Sequence, residues 1–440
     1  MPTARPSPAA AAPAATAPLG PAFRRLVTSS AASNLADGLV KVGLPLLAAR
    51  LTRSPALVAG VAVAAGLPWL VAALHAGALA DRLDRRVAMV GANLVRVALL
   101  VVLAATVAGE LATIWLLYAI AFGLGLAETL FDTSAQSLLP RLVAGARLSR
   151  ANGRLYAVEL TTNQFVGPPL GSALVATGLT LAFVTPAGLF LLAAAVLATL
   201  PGHHRPERGT ARTTVAADIG EGLRFLWRHR LLRTTAWMVG VMNLCLTMGM
   251  SVLVLYVVGP TSAVGLSEAL YGVLLTSFAV GSLVGSLTAE RIEAWLGRSR
   301  SLRLAIATSA LAVGVPALTA SPWLLGAGFV VGGVGVMLWN VIVVSFRQRM
   351  TPDHLLGRVN AGFRLLAWGT MPLGALLGGL LGEVAGLRVV FAVAGTAGLL
   401  LLLVRITDAE LAAAESAAAE SAAAESAAAP AAGRTPDPAG

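Results

Sequence analysis

One cysteine stands in 440 residues, Cys245, so neither an intramolecular disulfide nor a multi-cysteine metal site can form. Five histidines are present, and none falls at a spacing that would gather metal ligands; His203 and His204 are merely adjacent. Lysine is nearly missing: of 32 basic residues, all but Lys41 are arginines. Charge of either sign is scarce at 12%, against 57% hydrophobic residues and a mean hydropathy of +0.80. Soluble domains carry roughly a quarter charged residues, so a water-soluble fold is excluded. The chain lacks a phosphate-binding glycine loop, a nucleophile elbow and a soluble segment able to host chemistry, which argues against an enzyme. The opening stretch "MPTARPSPAAAAPAATAPLGPA" is broken by prolines and has no uninterrupted apolar run, so residues 1–22 read as a disordered tail.

What the sequence has in abundance is apolar length. A membrane-crossing helix needs roughly 20 apolar residues. Candidates run over Leu26–Leu51, Pro55–Ala80, Val87–Val107, Ala112–Leu139, Leu155–Thr177 and Leu179–Leu200. After a polar loop come Thr234–Val258, Leu266–Ala289, Leu302–Thr319, Pro322–Phe346, Val359–Gly382 and Leu387–Val404. The reading is an all-α integral membrane protein with twelve transmembrane helices, because lipid leaves helices as the way to satisfy every backbone polar group. The thinnest division lies at Gly178, where two spans meet with almost no loop.

The arginines set the orientation. Arg24 and Arg25 precede the first span, and Arg82, Arg85 and Arg86 follow the second. Arg141, Arg147 and Arg150 follow the fourth, and further arginines follow the sixth, eighth and tenth. The opposite side carries only Arg50, Arg53, Glu110, Glu268, Glu383 and Arg388. The positive-inside rule places both termini in the cytoplasm. The net charge of +11 is thereby read as topology, and nucleic acid is not an expected partner. The loop 201–233 divides six spans (23–200) from six (234–405). The tail 406–440 repeats "ESAAA", and glutamates five apart line no single helix face, so it reads as a solvated, partly helical spacer.

The two sets of six resemble each other at a nearly constant spacing. Asn34 answers Asn243, Gly77 answers Gly285, and "FGLGL" answers "VGGVGV". "SAQSLLPRL" answers "SFRQRMTPD", and "LSRANGR" answers "LLGRVNAG". Between the second and third spans stands Gly77-Ala78-Leu79-Ala80-Asp81-Arg82-Leu83-Asp84-Arg85-Arg86. That segment and the doubled six-span plan resemble the major facilitator superfamily, over about residues 23–405. The superfamily's loop signature is matched except at Asp84, where glycine is usual. Together with "LTRSPALVAGVAVAAGLPWL" and "ANGRLYAVELTTNQFVGPPLGSAL", it is similar to the efflux branch that includes the enterobactin exporter and macrolide efflux proteins.

The resemblance implies two pseudo-symmetric six-helix bundles with the substrate site between them. It further implies a monomeric multi-pass exporter in the bacterial cytoplasmic membrane, a transporter of drug-like or secondary-metabolite molecules of the kind that confers antibiotic resistance. No cofactor is expected, the energy coming from a proton gradient through antiport. Import, lipid or siderophore movement on the same scaffold, or a non-transporting receptor, remain open readings. The loop residues Gly77, Leu79, Asp81, Arg82, Arg85 and Arg86 are expected to form a gating clasp. In it, Asp81 would cap the helix starting near Val359, and an arginine would reach Asp132; the alternative is that the arginines only enforce topology.

Ionisable residues at membrane depth are costly and are functional candidates. Asp37 and Lys41 lie one turn apart, and Arg96 is a rival partner for Asp37. Glu128 and Asp132 share a face of the fourth span, and Glu159 lies in the fifth. Asp37, Glu128 and Glu159 are the candidate proton carriers, with Lys41 and Arg96 as their partners; a permanent structural pair at Asp37 is the rival reading. "VGPPLGS" supplies the helix breakers Gly167, Pro168, Pro169 and Gly171, echoed by Pro372 and Gly374 in "WGTMPLG". Asn34, Trp69, Asn163, Gln164, Asn243, Trp339 and Trp368 are the candidate lining of a cavity for a bulky amphipathic or cationic molecule.

Overall fold

The computed structural model describes residues 19–71, 84–143, 147–201 and 215–428. Among these the chain is helical almost throughout, with one isolated β-bridge between Val258 and Leu266. The first half comprises α1 (Gly20–Leu51), α2 (Pro55–Val71), α3 (Arg85–Ala108), α4 (Ile114–Leu142) and α5 (Leu148–Glu159). A π-helical turn (Leu160–Val166) leads into α6 (Gly167–Thr177), followed by α7 (Leu179–Ala198). After α8 (Val215–Arg228) come α9 (Arg230–Val257), α10 (Glu268–Leu296), α11 (Arg298–Leu318) and α12 (Pro322–Met350). The chain ends through α13 (Asp353–Gly369), α14 (Met371–Ala385), α15 (Leu387–Leu400) and α16 (Asp408–Ala428).

Among the described residues, eight of the expected spans are helices long and apolar enough to cross a membrane. The first, second, fifth and twelfth fall short of that measure for local reasons. Helix α1 carries Asp37 and Lys41 mid-course, and the described part of α2 stops at Val71. The π turn divides the fifth span, and α15 passes into a short 3₁₀ turn, Leu401–Leu403. Outward faces are apolar, with Leu318, Trp323 and Val384 more than four-fifths exposed. Patches of that kind belong against lipid.

Local chemistry sets the ends of the helices. Asp84 caps α3, its carboxylate accepting from Arg86 N at 2.9 Å and from Val87 N. That explains the departure from the loop signature: glycine could not supply this acceptor. At Gly297 and Gly386 one residue at positive φ (79° and 87°) reverses the chain between adjacent helices, a conformation that favours glycine.

In the first half α1 packs on α6 and α7, α3 on α4 and α7, and α2 on α4. In the second, α12 packs on α10 and α11, α9 on α14 and α15, and α8 on α13. The halves meet along two main seams, α2 with α14 and α6 with α10. The internal repeat maps the second span on the eighth and the fifth on the eleventh, so it exchanges these two seams. Close approach depends on small residues. A Cβ on Gly167 would stand 2.6 Å from Gly38 Cα, and one on Gly272 would run into the Pro168 carbonyl across the α6–α10 seam.

Both of the echoed proline motifs fall at breaks in a span. Pro168 and Pro372 each sit in the first turn of a new helix, where a missing donor does least harm. At the second break Asn243 Nδ2 donates to Ala367 O (2.7 Å) and Thr370 Oγ1 to Gly240 O (2.8 Å). These bonds satisfy backbone carbonyls near the interruption.

Two segments differ from their sequence reading. The polar inter-bundle loop contains α8, whose buried Leu226 and Gly222 pack it onto α13, with Arg358 paired to Glu221 at 2.5 Å. The tail, expected as a solvated spacer, turns by 68° from α15 and docks. Its cap is reciprocal: Glu410 N donates to Thr407 Oγ1, and Thr407 N to Glu410 Oε2. Asp408 accepts from Ser299 N (2.7 Å), Glu415 binds Arg298 (2.7 Å) and Arg349 (2.9 Å), and Leu411 is buried. Glutamates spread around a helix can still anchor it, because arginines reach them from three elements, α9, α11 and α12.

Candidate functional site

The buried charge of the first half gathers around Arg96. This guanidinium is 1% exposed, 3.6 Å from Asp37 and 3.2 Å from Ser33 Oγ. It lies between the Phe131 and Phe190 rings, 5.3 and 4.9 Å from their centroids. Aromatic faces stabilise a desolvated cation, so Arg96 is held by rings as well as by the carboxylate. Of the two partners open to Asp37, the structure therefore brings up Arg96. Lys41 instead donates to Asn163 Oδ1 at 2.8 Å, tying α1 to the π turn.

Asp37, Lys41 and Glu128 line a cavity of about 310 Å³ between α1, α2 and α4, closed in part by Phe190 and by Thr247, Met250 and Ser251 of α9. It is therefore bounded by both halves. Asp132 lies within electrostatic reach of Glu128, Arg96, Asp37 and Glu159, and also of Arg364 on α13. Glu159, at the end of α5, is exposed and reaches Lys41 and Glu128 only through space.

A second cavity, of about 280 Å³, lies within the second half between α9, α11, α12 and α13. Asn243, Trp339, Trp368, Arg347 and Arg364 line it. Trp368 meets Trp69 of the first half edge to face at 5.1 Å, and Arg364 stacks 4.2 Å from the Trp368 ring. Of the other expected lining residues, Asn34 bonds back to Ser30 on its own helix, and Gln164 is exposed. Asn243 lines the cavity while its amide is engaged at the α13–α14 break.

The expected gating residues Gly77, Leu79, Asp81 and Arg82 lie outside the described residues. Arg86 donates to Leu200 O at 2.5 Å. Helix α13 begins at Asp353, so its free N–H groups stand there and not at Val359, which is fully buried.

At the end of the bundle remote from α8 and α16, the halves are joined by contacts that sequence reading passed over. Arg50 and Glu268 form a two-pronged pair, and Glu383 accepts from Ser54 Oγ (2.5 Å) and Ala56 N (3.2 Å). Arg347 and Arg364 were also missed as site residues. Their signal was available: an arginine within or beside an apolar run deserves the same suspicion as an acid there.

Comparison with known proteins places this architecture. A family model described as a transmembrane secretion effector matches residues 13–432. The multidrug efflux pump Tap of Mycolicibacterium fortuitum is 33% identical over 375 residues, covering 81% of this chain and 88% of that protein. The enterobactin exporter EntS of Citrobacter koseri is 27% identical over 354 residues, covering 77% and 80%. Among solved structures the nucleoside transporter NupG superposes with a TM-score of 0.69 at 14% identity, covering 87% of this chain and 98% of that one. An inward-facing bacterial homologue of the iron transporter ferroportin gives 0.66 at 17% identity, covering 90% and 98%. The chain belongs to the transmembrane secretion effector family of major facilitator transporters.

Proposed function

We propose that the protein exports an amphipathic organic molecule across the bacterial cytoplasmic membrane in exchange for protons, by alternately exposing a central cavity to the two sides. Both termini lie in the cytoplasm, the moving units are residues 23–200 and 234–405, and one chain suffices. The carrying observation is the cavity bounded by both halves with Asp37, Lys41 and Glu128 on its wall. An ionisable carboxyl there can bind a proton from one side and release it to the other, provided the wall changes exposure. The remote end is closed by Arg50–Glu268 and Glu383–Ser54, which supports reading this arrangement as facing the cytoplasm. The names of the Tap and enterobactin-exporter relatives support export as the direction.

The test is a drug-sensitivity panel in an efflux-deficient host, paired with reconstituted vesicles under an imposed pH gradient. Wild type should raise tolerance to at least one amphipathic compound and move it against its gradient. Asp37→Asn and Glu128→Gln should each remove the pH-driven component. Undiminished pH-driven transport in both variants would overturn the coupling scheme.

A further inference from the structure

The cavity of the second half holds donors without acceptors. Arg347 is 8% exposed, and its Nε and Nη1 have no hydrogen-bond partner among the described residues. Trp339 Nε1 and Ser309 Oγ, elsewhere on the lining of the same cavity, are buried and also without a partner among the described residues. No carboxylate lines this cavity among the described residues, and Arg347 has no ion-pair partner among them. What supports its guanidinium is the Phe363 ring, 4.0 Å from Cζ. Buried donors left unmatched in this number call for an occupant. A buried unpaired cation has the strongest such demand.

We propose that this cavity is the seat of a carboxylate carried by an aromatic or amphipathic ligand, anchored by Arg347. The carboxylate oxygens accept from Arg347 Nε and Nη1, while Trp339 Nε1 and Ser309 Oγ, farther along the cavity, are donors for polar groups on the body of the ligand. Guanidinium and carboxylate match as a two-pronged pair, and the low dielectric strengthens the bond. Arg364, stacked on Trp368, adds a second positive charge toward the seam. The edge-to-face tryptophans Trp69 and Trp368 provide an apolar wall for the rest of the molecule. At about 280 Å³ the cavity suits the acidic head and one ring system, with the body extending toward the first half. The inference rests on the transporter reading and narrows it: the acids of the first half serve the proton, and the arginines of the second serve an anionic substrate.

The experiment uses the full chain in lipid nanodiscs and three probes of one shape: 4-(1-naphthyl)butyrate, its primary amide and the matching amine. Binding is read by quenching of tryptophan fluorescence, so the apolar contribution is common to all three. The carboxylate should bind at least tenfold more tightly than the amide, with the amine weakest, as one charge-assisted bond implies. Arg347→Gln should abolish the preference, and Arg347→Lys should keep part of it. If Arg347→Gln does not fold, Arg364→Gln takes its place and is expected to reduce the preference severalfold. Equal affinity for acid and amide, or a preference untouched by these substitutions, overturns the proposal. Loss of pH-driven efflux from proteoliposomes with the preference intact would instead overturn the export reading and leave the carboxylate seat standing.

Discussion

Arg50 and Glu268 meet through two parallel hydrogen bonds, Nε to Oε1 at 2.7 Å and Nη2 to Oε2 at 2.5 Å, joining the end of α1 to the start of α10. The pair links the two halves at the end remote from α8 and α16. Half-exposed pairs contribute about 0–1 kcal/mol, and the two-pronged geometry puts this one near the top of that range. A contribution of that size cannot hold two bundles together, but it can bias which end is closed.

Arg50→Glu should therefore shift the population toward an arrangement open at that end, by up to roughly fivefold. Double electron–electron resonance between spin labels at Thr52 and Ser267 reads the shift. The double substitution Arg50→Glu with Glu268→Arg should restore the original distance distribution. If the double variant stays as open as the single one, the pair does not set this equilibrium.

Asp37→Asn removes the carboxylate beside a fully buried Arg96, whose Nη2 already lacks a partner. Breaking one side of a buried pair costs on the order of 3 kcal/mol, and here less, since the pair is long at 3.6 Å and Asp37 is partly open to the cavity. Thermal unfolding in detergent should fall for Asp37→Asn and recover in Asp37→Asn with Arg96→Met, while pH-driven transport stays lost in both. Recovery of transport along with stability would make Asp37 a packing residue and remove it from the proton path.

Gly272→Ala puts a methyl group against the Pro168 carbonyl, so the α6–α10 seam must widen. Gly153→Ala faces open space and serves as the matched control. Transport should drop severalfold in Gly272→Ala at equal expression and remain at the wild-type level in Gly153→Ala. Matching rates in the two variants would show that the seam has room to spare.

Helix α16 should come loose when Glu415 is removed, because that carboxylate holds both Arg298 and Arg349. In Glu415→Ala, hydrogen exchange at the Ser299 amide, bonded to Asp408, should accelerate about severalfold, as expected for loss of one or two pairs of roughly 0.5 kcal/mol each. Unchanged exchange at Ser299 would mean that burial of Leu411 alone keeps the tail in place.

Much of this was legible in the sequence, for reasons that can be named. Apolar runs bounded by arginines mark membrane helices whatever they pack against, and the breaks at Pro168 and Pro372 follow from a missing backbone donor. The repeat was visible because matched residues recur in order. Partner choice was not legible. Asp37 had two cations in range, and the structure pairs it with Arg96 because Lys41 faces Asn163 instead. Glu268 and Glu383 looked like sparse loop charges, yet each bridges the halves.

The sequence by itself determined that this is a helical membrane protein built twice over, because hydropathy and backbone satisfaction act locally, span by span. Tertiary structure alone decided which charges meet: acids on a cavity wall in one half, and unmatched guanidinium donors in the other. Those pairings depend on helix rotation and crossing, where a shift of one residue turns a side chain by about 100° and replaces its partner.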